Sequence, residues 1–565
     1  MDAPDAEGKH PDIATSRFGG NSNVRDAPVL TDAAHDATHN FDMEGLSLYE
    51  KKSLLIQREL DAMGMGKHQW YIWSLCGLGY FLDLLWAQAF GLIATPLQKE
   101  LGFSDGQLGN IFTAFSSGLT AGAFVWGVLV DIIGRRWAFN GTVLITSIFS
   151  LCLGAPNTYN AVLVLTAFNG FGIGGNIPID TTICLEFLPK NRRFLLALLS
   201  IFQPLGVIVC SGIAYGFVPK YSCDSDLPSC HSSTLAPGAP CCTKSSNYGW
   251  RYLMFTLGGI SLFVFSMRFV VFTFQESPKY LLSKGKDEQA LKVLENVAKT
   301  NGRVSRVTIQ SFEELERGHG PDVRSSSESS AEAGTSMIRE GGNAVASKSF
   351  RDAPMKTIKR ELKRVSILFS TPTLARLTIL VWIIYAFDYW GFSVAGSFLP
   401  TILARKNSSI NVSISETYRD YIIIYTPGLV GVALGAFLIQ VPHVGRKYAM
   451  LLSSLLMAIS LFLFAAVNTQ ASNVGLNTME YFFQSMFNAI LYGWTPEAFP
   501  ASVRGTASGI ASFWGRLFSI FSPLIAAHLL EKSLNGPLYL AGAGVLVCCV
   551  AILGLPSRAM VGQKD

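Results

Sequence analysis

The chain has 565 residues, of which 49% are hydrophobic and 15% are charged. A soluble domain carries about 25% charged residues, so this composition argues against an ordinary soluble enzyme. It predicts a chain that crosses a membrane many times. The formal net charge of +5 is small, and we expect no nucleic-acid partner.

Residues 1–66 are predicted to form a cytosolic N-terminal tail. They contain no apolar core of a secretory signal peptide. The polar composition of roughly the first 40 residues predicts disorder. Residues 44–66 have apolar side chains at helical spacing, which predicts a short amphipathic helix on the membrane surface or on the protein itself.

Twelve apolar runs are long enough to cross a bilayer, which takes about 20 residues each. Such runs must be helical, because lipid offers no partner for a free backbone N–H. The predicted spans are 70–95, 107–130, 137–155, 160–187, 195–218, 250–274, 375–403, 420–440, 447–468, 477–497, 507–530 and 537–557. The sequence therefore predicts an all-α membrane protein with six spans in each of two bundles.

The predicted domains follow the same division. They are the tail 1–66, a first bundle 67–274, a central segment 275–374, a second bundle 375–557 and a C-terminal tail 558–565. The centre of the central segment has a Ser-rich, low-complexity composition, which predicts disorder.

Basic residues in the short loops predict the orientation of the spans. The loops after the second, fourth, eighth and tenth spans carry the pairs or clusters Arg135 and Arg136; Lys190, Arg192 and Arg193; Arg446 and Lys447; and Arg504. The loop after the third span has no Lys or Arg. Because cytosolic loops carry the excess of basic residues, we expect both termini and the central segment to be cytosolic.

Two predicted external loops carry features of the secretory pathway. The loop 219–249 contains four cysteines, Cys223, Cys230, Cys241 and Cys242, which indicates disulfides, with three pairings open. The loop after the seventh span contains N-x-S sequons at Asn407 and Asn411, which predict glycosylation. We therefore expect a eukaryotic plasma-membrane protein, with a vacuolar or other endomembrane location as the alternative.

One motif occurs twice at a constant offset. Adding 311 to the residue numbers of Glu186, Pro189 and Arg193 gives Glu497, Pro500 and Arg504, and the same shift takes 134–136 to 445–447. A repeated unit of this kind is typical of transporters whose two halves enclose a site at the membrane midplane.

Three stretches then carry a specific resemblance. The stretch "GVLVDIIGRR" (127–136) resembles the loop signature of the major facilitator superfamily. The stretches "QESPKYLL" (275–282) and "EAFPASVRGTASG" (497–509) are similar to motifs of its sugar-porter and organic-ion branches, and the pattern is closest to the synaptic-vesicle-glycoprotein and organic-ion-transporter groups. One departure is that Pro442 stands where the first half has Asp131.

The resemblance implies that charged helix ends control access to the site from the cytosol. The predicted gating residues are Asp131, Arg135, Arg136, Glu186, Arg193, Arg446, Glu497 and Arg504. Acids at helix ends pair with Arg and with helix N-termini, and such pairs would form and break as the halves move. The alternative is that these residues only anchor the helices at the interface.

Ionisable residues in mid-span are costly and indicate function. Asp83 and Asp388 lie in the first span of each half, and either would carry a proton or contact substrate; the alternative is a structural ion pair. Arg516 and Pro523 match a spacing of the organic-anion branch. That resemblance implies a guanidinium that binds a carboxylate with two hydrogen bonds, and the alternative is that Arg516 neutralises Asp83 or Asp388.

Several uncharged side chains are further candidates for the substrate site. They are Gln203, Gln484, Tyr389, Trp390 and Trp494. Rings at helical spacing more often pack or face the interface. The Gly-rich stretch 169–176 lies inside an apolar span, so it predicts close helix packing rather than a phosphate loop.

These observations predict a secondary active transporter that moves a small organic solute, an organic anion or carboxylate, by proton-coupled symport. The alternatives are a sugar-like solute, efflux of a metabolite or drug, or a receptor-like binding protein on a transporter scaffold. No Walker A sequence is present, which excludes a pump that hydrolyses ATP itself. We expect no enzyme activity, cofactor or metal, and the expected partners are the substrate, protons and lipid, around a monomer.

Overall fold

A computed structural model of the chain describes residues 47–189, 192, 194–224, 227–231, 239–270, 275–317, 365–439, 445–499 and 503–556. In these ranges every regular element is a helix, apart from an isolated bridge between Ser229 and Cys242. The predicted all-α fold is confirmed. The regions predicted to be disordered, in the N-terminal tail and the centre of the central segment, lie outside the described residues.

The described residues of the first half form nine α-helices. They are α1 (Leu48–Met63), α2 (Lys67–Leu101), α3 (Asp105–Ile133), α4 (Arg135–Cys152), α5 (Tyr159–Gly174), α6 (Asn176–Phe187), α7 (Phe194–Leu198), α8 (Phe202–Tyr221) and α9 (Gly249–Val270). Helices α5 and α6 follow each other in a single span, and a 3₁₀ turn at Leu199–Ile201 joins α7 to α8.

Three short helices in the described part of the central segment, and then the second half, follow. They are α10 (Pro278–Ser283), α11 (Asp287–Thr300), α12 (Ile309–Arg317), α13 (Pro372–Ser409), α14 (Ile414–Tyr425), α15 (Gly428–Leu438), α16 (Gly445–Ala466), α17 (Gln470–Ala498), α18 (Arg504–Lys532) and α19 (Gly536–Leu553). Helices α14 and α15 form one span, interrupted at Pro427, which lacks the N–H that the helix needs.

Ten spans of the described chain are long and apolar enough to cross a membrane. The other two predicted spans are also helical, α4 and α17, and their polar residues lower their hydropathy. Helix α4 packs against α5 and α9, and α17 packs against α15 and α16. Both therefore belong to the bundles, which gives six spans in each half.

Helix α2 extends beyond its predicted span, 70–95, because its caps, and not the apolar window, set its ends. Helix α2 continues to Leu101, where Gly102 adopts a left-handed backbone (φ 69°) and its N–H bonds back to the Gln98 carbonyl. The amphipathic helix predicted in 44–66 is confirmed as α1. It begins with a reciprocal capping box between Ser47 and Glu50.

Helix α1 packs on the protein together with α10, α11 and α12. Its buried Lys52 forms ion pairs with Asp287 and, at 2.5 Å, with Glu316. Burial alone lowers the pKa of the Lys52 ammonium, but its bonds to the two carboxylates outweigh burial and raise that pKa above its ordinary value. We call the membrane side that carries these four helices the tail side, and the side that carries the cysteine-rich segment the loop side.

Close glycine contacts join α3 to α5, as the Gly-rich stretch predicted. A Cβ at Gly118 would overlap the carbonyl oxygen of Ala167, and one at Gly174 would overlap that of Leu119. Small residues let helix backbones approach in a membrane. Across the halves, α3 packs against α18, α8 against α14 and α2 against α13.

The outer surface carries large apolar side chains. Phe124 is 71% exposed, Trp137 68% and Val550 70%. Such exposure is unfavourable in water and is expected of a surface that faces lipid.

Candidate functional site

A cavity of about 140 Å³ lies between the two halves. Its lining residues come from both bundles, including α2, α3 and α8 of the first half and α13, α17 and α18 of the second. The charged and aromatic polar residues of this central cavity are Asp83, Asp388, Tyr389, Tyr425, Glu480, Tyr481, Tyr492 and Arg516. Its neutral polar residues include Gln88, Ser116, Gln203, Ser393, Gln484, Asn488 and Ser519.

Most of the predicted substrate residues meet in this cavity. The residues that line it are Asp83, Asp388, Arg516, Gln203, Gln484 and Tyr389. They lie on five helices that are far apart in sequence. These mid-span residues therefore face one cavity, and their role in substrate binding stays a prediction.

Two predicted substrate residues lie elsewhere, which corrects the expectation for them. Trp390 packs edge-on against Phe518, with 6.1 Å between ring centroids. It follows Tyr389 by one residue, and neighbouring helical residues point about 100° apart. Trp494 is fully buried in the core of the second half with Phe487. Aromatic identity alone did not indicate which helix face each ring occupies.

Asp83 is buried in α2 and bonds to α6. The Asn176 Nδ2 donates to Asp83 Oδ1 at 3.2 Å, and Asp83 Oδ2 has no hydrogen bond within the described ranges. No described cation lies within 4.0 Å of this carboxyl, so Asp83 forms no direct ion pair in the described chain.

Asp388 has an equivalent arrangement in the second half. The Asn488 side-chain amide lies against the Asp388 carboxyl, and once its oxygen and nitrogen are exchanged, its nitrogen donates to both carboxyl oxygens, at 3.1 and 3.3 Å. In each half, an Asp on the first span thus meets an Asn on the fourth. This agrees with the duplication inferred from the repeated motif.

Arg516 lies on α18 and is buried at the junction of the halves. Its Nη1 donates to the backbone carbonyl of Leu119 on α3 at 3.1 Å. No carboxylate of the described residues lies within 4.0 Å of this guanidinium. Direct neutralisation of Asp83 or Asp388 is therefore absent here, and Arg516 faces the cavity with donors to spare.

Sequence reasoning missed a third carboxyl group in the cavity, Glu480. It lies on α17, is 4% exposed and lines the cavity beside Tyr425 and Tyr481. Its signal was present, because Glu480 falls inside the predicted span 477–497. The criterion that selected Asp83 applies equally to it.

A buried ion pair behind the cavity was also missed. Arg268 Nη2 on α9 lies 3.9 Å from Asp180 Oδ1 on α6, and its guanidinium stacks over the Phe139 ring at 3.5 Å. Both charges lie inside predicted spans. This pair joins α6 to α9 within the first half.

Charged residues on the tail side connect the stretch 127–136 with the stretch 275–282 and with the repeated motif at 186–193. Arg135 Nη2 lies 3.4 Å from Glu186 Oε1. The Glu276 carboxylate accepts from the backbone N–H of Arg135 at 2.9 Å and of Arg136 at 3.2 Å. It therefore caps the N-terminus of α4, and Arg135 also lies over the Tyr280 ring, 4.6 Å from its centroid.

Four other predicted gating residues lie near the ends of helices. Asp131 lies in the last turn of α3, Glu497 near the end of α17, and Arg504 and Arg446 at the starts of α18 and α16. Arg193 lies outside the described residues. The gating role of the whole set remains a prediction.

Polar contacts on the loop side join the two halves, and no sequence pattern indicated them. Arg405 of α13 donates to both carboxylate oxygens of Asp105 at the start of α3, at 2.8 and 2.5 Å. Glu531 of α18 accepts from the backbone N–H of Gly106 at 2.9 Å. These contacts join α3 to α13 and to α18 on the loop side.

The predictions for the loop cysteines and for the two sequons have different outcomes. Cys223 is disulfide-bonded to Cys242 and Cys230 to Cys241, which is one of the three open pairings. Asn407 is fully buried and its Nδ2 donates to Thr417 Oγ1 at 3.0 Å, so its predicted glycosylation is wrong. Asn411, the other sequon, is exposed, and its glycosylation stays a prediction.

Comparison with known proteins identifies the family. The model of the Major Facilitator Superfamily matches residues 76–441 and, in a second match, residues 381–565. The chain belongs to this superfamily. It is 33% identical over 512 residues to the "MFS siderochrome iron transporter 1" of Ceriporiopsis subvermispora, covering 90% of this chain and 91% of that protein.

Two further matches agree with this family. An MFS-type transporter of Schizosaccharomyces pombe is 30% identical over 567 residues, covering 98% of this chain and 96% of that one. The xylose transporter XylE of E. coli, in a partially occluded inward open conformation, superposes with a TM-score of 0.60 at 16% identity, covering 85% of this chain and 96% of that one. The fold is therefore that of the superfamily, and the protein is an integral membrane transporter of small solutes.

Proposed function

We propose that this facilitator moves a small organic carboxylate by alternating access, in symport with protons. The observation that carries the proposal is Arg516, a buried guanidinium that lines the cavity and has no carboxylate partner within 4.0 Å in the described chain. A guanidinium in a low-dielectric site binds a carboxylate with two parallel hydrogen bonds. Its bond to the Leu119 carbonyl fixes one nitrogen and orients the rest.

The charge of the cavity favours coupling of transport to protons. Three carboxyl groups, Asp83, Asp388 and Glu480, line the same space as Arg516. An anionic substrate adds a further negative charge, and burying unbalanced charge is costly. Proton uptake by a lining carboxyl would offset that cost, so binding of the anion and of protons would favour each other.

The partners of Asp83 and Asp388 suit a proton carrier. Each carboxyl faces an Asn amide rather than a cation. An amide donates through its nitrogen to a carboxylate and accepts through its oxygen from a protonated carboxyl. Either aspartate would therefore gain or lose a proton without breaking an ion pair.

The tail side is proposed to face the cytosol, in the plasma membrane of a eukaryote. The basic loops at Arg135 and Arg446 support this orientation, as do the two disulfides of the loop-side segment.

The test is uptake by proteoliposomes across a panel of carboxylates, sugars and amines, with and without an inward proton gradient. We expect uptake of a carboxylate in the wild type and none in Arg516→Gln. Arg516→Lys keeps the charge but loses the two-pronged geometry, so we expect a loss of about 10-fold or more. Exposed Arg317→Gln is the matched control.

The outcomes separate the readings. Full carboxylate uptake by Arg516→Gln would refute the anion site. Uptake of a sugar but of no carboxylate would refute the substrate class, and binding without uptake in any condition would indicate a receptor-like protein. Uptake that does not respond to the proton gradient would refute symport.

A further inference from the structure

Glu480 lies at a distinct place in the cavity that the carboxylate site does not use. Its side chain is 4% exposed and lines the cavity, and its Oε1 is buried with no hydrogen bond in the described chain. Neither does any described cation lie within 4.0 Å of it. A buried carboxylate without a partner is costly, so we expect a bound ligand to supply that partner.

The position of Glu480 along α17 separates it from Arg516. Asn488, two turns further along α17, contacts Asp388, and those two turns span about 12 Å. Gly515, next to Arg516, packs against the Tyr389 ring, where an added Cβ would lie 2.7 Å away. Arg516 therefore lies near the level of Asp388, and Glu480 lies nearer the loop side.

Two tyrosine rings flank Glu480. Tyr425 and Tyr481 both line the cavity and meet edge to face, with 4.7 Å between their centroids. Tyr481 is buried, and its hydroxyl lies close to Ser485 on the same helix. A carboxylate beside aromatic faces is the chemistry that recognises an organic ammonium, which is attracted by both the charge and the ring quadrupole.

We propose that the substrate is zwitterionic, with its carboxylate on Arg516 and its ammonium on Glu480 beside Tyr425 and Tyr481. This inference rests on the proposed carboxylate transport and adds the second end of the ligand. The ammonium supplies the missing partner of Glu480 and offsets one negative charge of the cavity. Because the two sites lie at different levels, the ligand's charges are separated by several bonds.

The test measures binding of defined probes to the purified full-length protein in lipid nanodiscs. The matched pair is 6-aminohexanoate and its N-acetyl derivative, which keeps the carboxylate and removes the positive charge. We expect the wild type to bind the amino compound about 10-fold more tightly or better, as an ammonium held by a carboxylate and rings warrants. In Glu480→Gln the two compounds should bind within about twofold of each other, at the strength of the N-acetyl compound.

Two comparisons sharpen this result. Glycine carries its charges on adjacent carbons and does not reach from Arg516 to Glu480, so Glu480→Gln should weaken binding of 6-aminohexanoate much more than binding of glycine. The exposed Glu313→Gln variant should keep the full wild-type preference for 6-aminohexanoate. Thermal unfolding without probe shows whether each variant is folded.

Each outcome decides between readings. Equal binding of the two probes by the wild type, with both lost in Arg516→Gln, would overturn the ammonium site and leave carboxylate transport standing. No binding of any carboxylate would overturn both proposals. If hexylamine binds as tightly as 6-aminohexanoate, the substrate is a cation. If Glu480→Gln changes only the pH dependence of uptake, Glu480 is a proton carrier. Either result would overturn the proposal of a zwitterionic substrate.

Discussion

The ion pair between Asp105 and Arg405 is expected to hold the loop side closed. It joins the start of α3 in one half to α13 of the other, through two hydrogen bonds of 2.8 and 2.5 Å. The side chains are 23% and 34% exposed, so solvent screens the pair and its contribution is about 1 kcal/mol. Asp105→Asn should therefore shift the equilibrium between loop-side-closed and loop-side-open states about fivefold toward open.

Distances between spin labels on the loop side measure this shift. Labels at Ser245 and Ser533, exposed positions in different halves, report the separation after the exposed Cys152 has been replaced. We expect the long-distance population to rise in Asp105→Asn and in Arg405→Gln by the same factor. The double variant should be no more open than either single one, because both remove the same interaction.

A matched control and a charge reversal complete the design. Arg419→Gln removes a loop-side Arg whose 3.3 Å pair with Asp420 stays within one helix, so it should leave the distances unchanged. Exchanging the charges, Asp105→Arg with Arg405→Asp, should restore closure. An unchanged distance distribution in both single variants would refute this role of the ion pair and show that apolar packing alone closes this side.

Three further predictions concern glycosylation, helix packing and the α1 contact. In eukaryotic cells Asn411→Gln should abolish the mobility shift on glycosidase treatment while Asn407→Gln leaves it, and retention of the shift in Asn411→Gln would contradict the assignment. Gly118→Leu should lower the melting temperature and the folded yield, because the new side chain would overlap the α5 backbone. Gly216→Leu should lower neither, because Gly216 has open space around it. Equal melting temperatures and yields for the two variants would contradict close packing at Gly118. Lys52→Met should expose α1 to limited proteolysis, because it leaves two carboxylates without their cation, and unchanged cleavage would show that α1 is held by its apolar face.

The fold was predictable because the bilayer imposes a length and a hydropathy on every span. The repeat of 186–193 at 497–504 then fixed the two halves. Where a span was wrong in detail, a local cap such as Gly102 had set the helix end. These are signals that neighbouring residues carry, so a single sequence contains them.

The site was predictable only in part, because a cavity depends on which helix faces meet. Asp83, Asp388 and Arg516 stood out through the cost of burying charge, and Glu480 would have stood out by the same rule. The loop-side pair joins residues 300 positions apart in sequence, and neither partner is unusual where it stands. Burial of Asn407 was equally invisible, since a sequon describes three residues and not their surroundings.

The charges of the cavity relate the number of protons taken up to the net charge of the substrate. Asp83 and Asp388 face amides that tolerate either protonation state, whereas Glu480 lines the cavity with Tyr425 and Tyr481, and its Oε1 has no hydrogen bond in the described chain. If a zwitterion brings its own ammonium to Glu480, its uptake needs fewer protons than uptake of a plain carboxylate bound at Arg516. We therefore expect uptake of N-acetyl-6-aminohexanoate to depend more steeply on the proton gradient than uptake of 6-aminohexanoate, and the difference to vanish in Glu480→Gln. Equal dependence for both compounds in the wild type would show that Glu480 does not balance the substrate's charge.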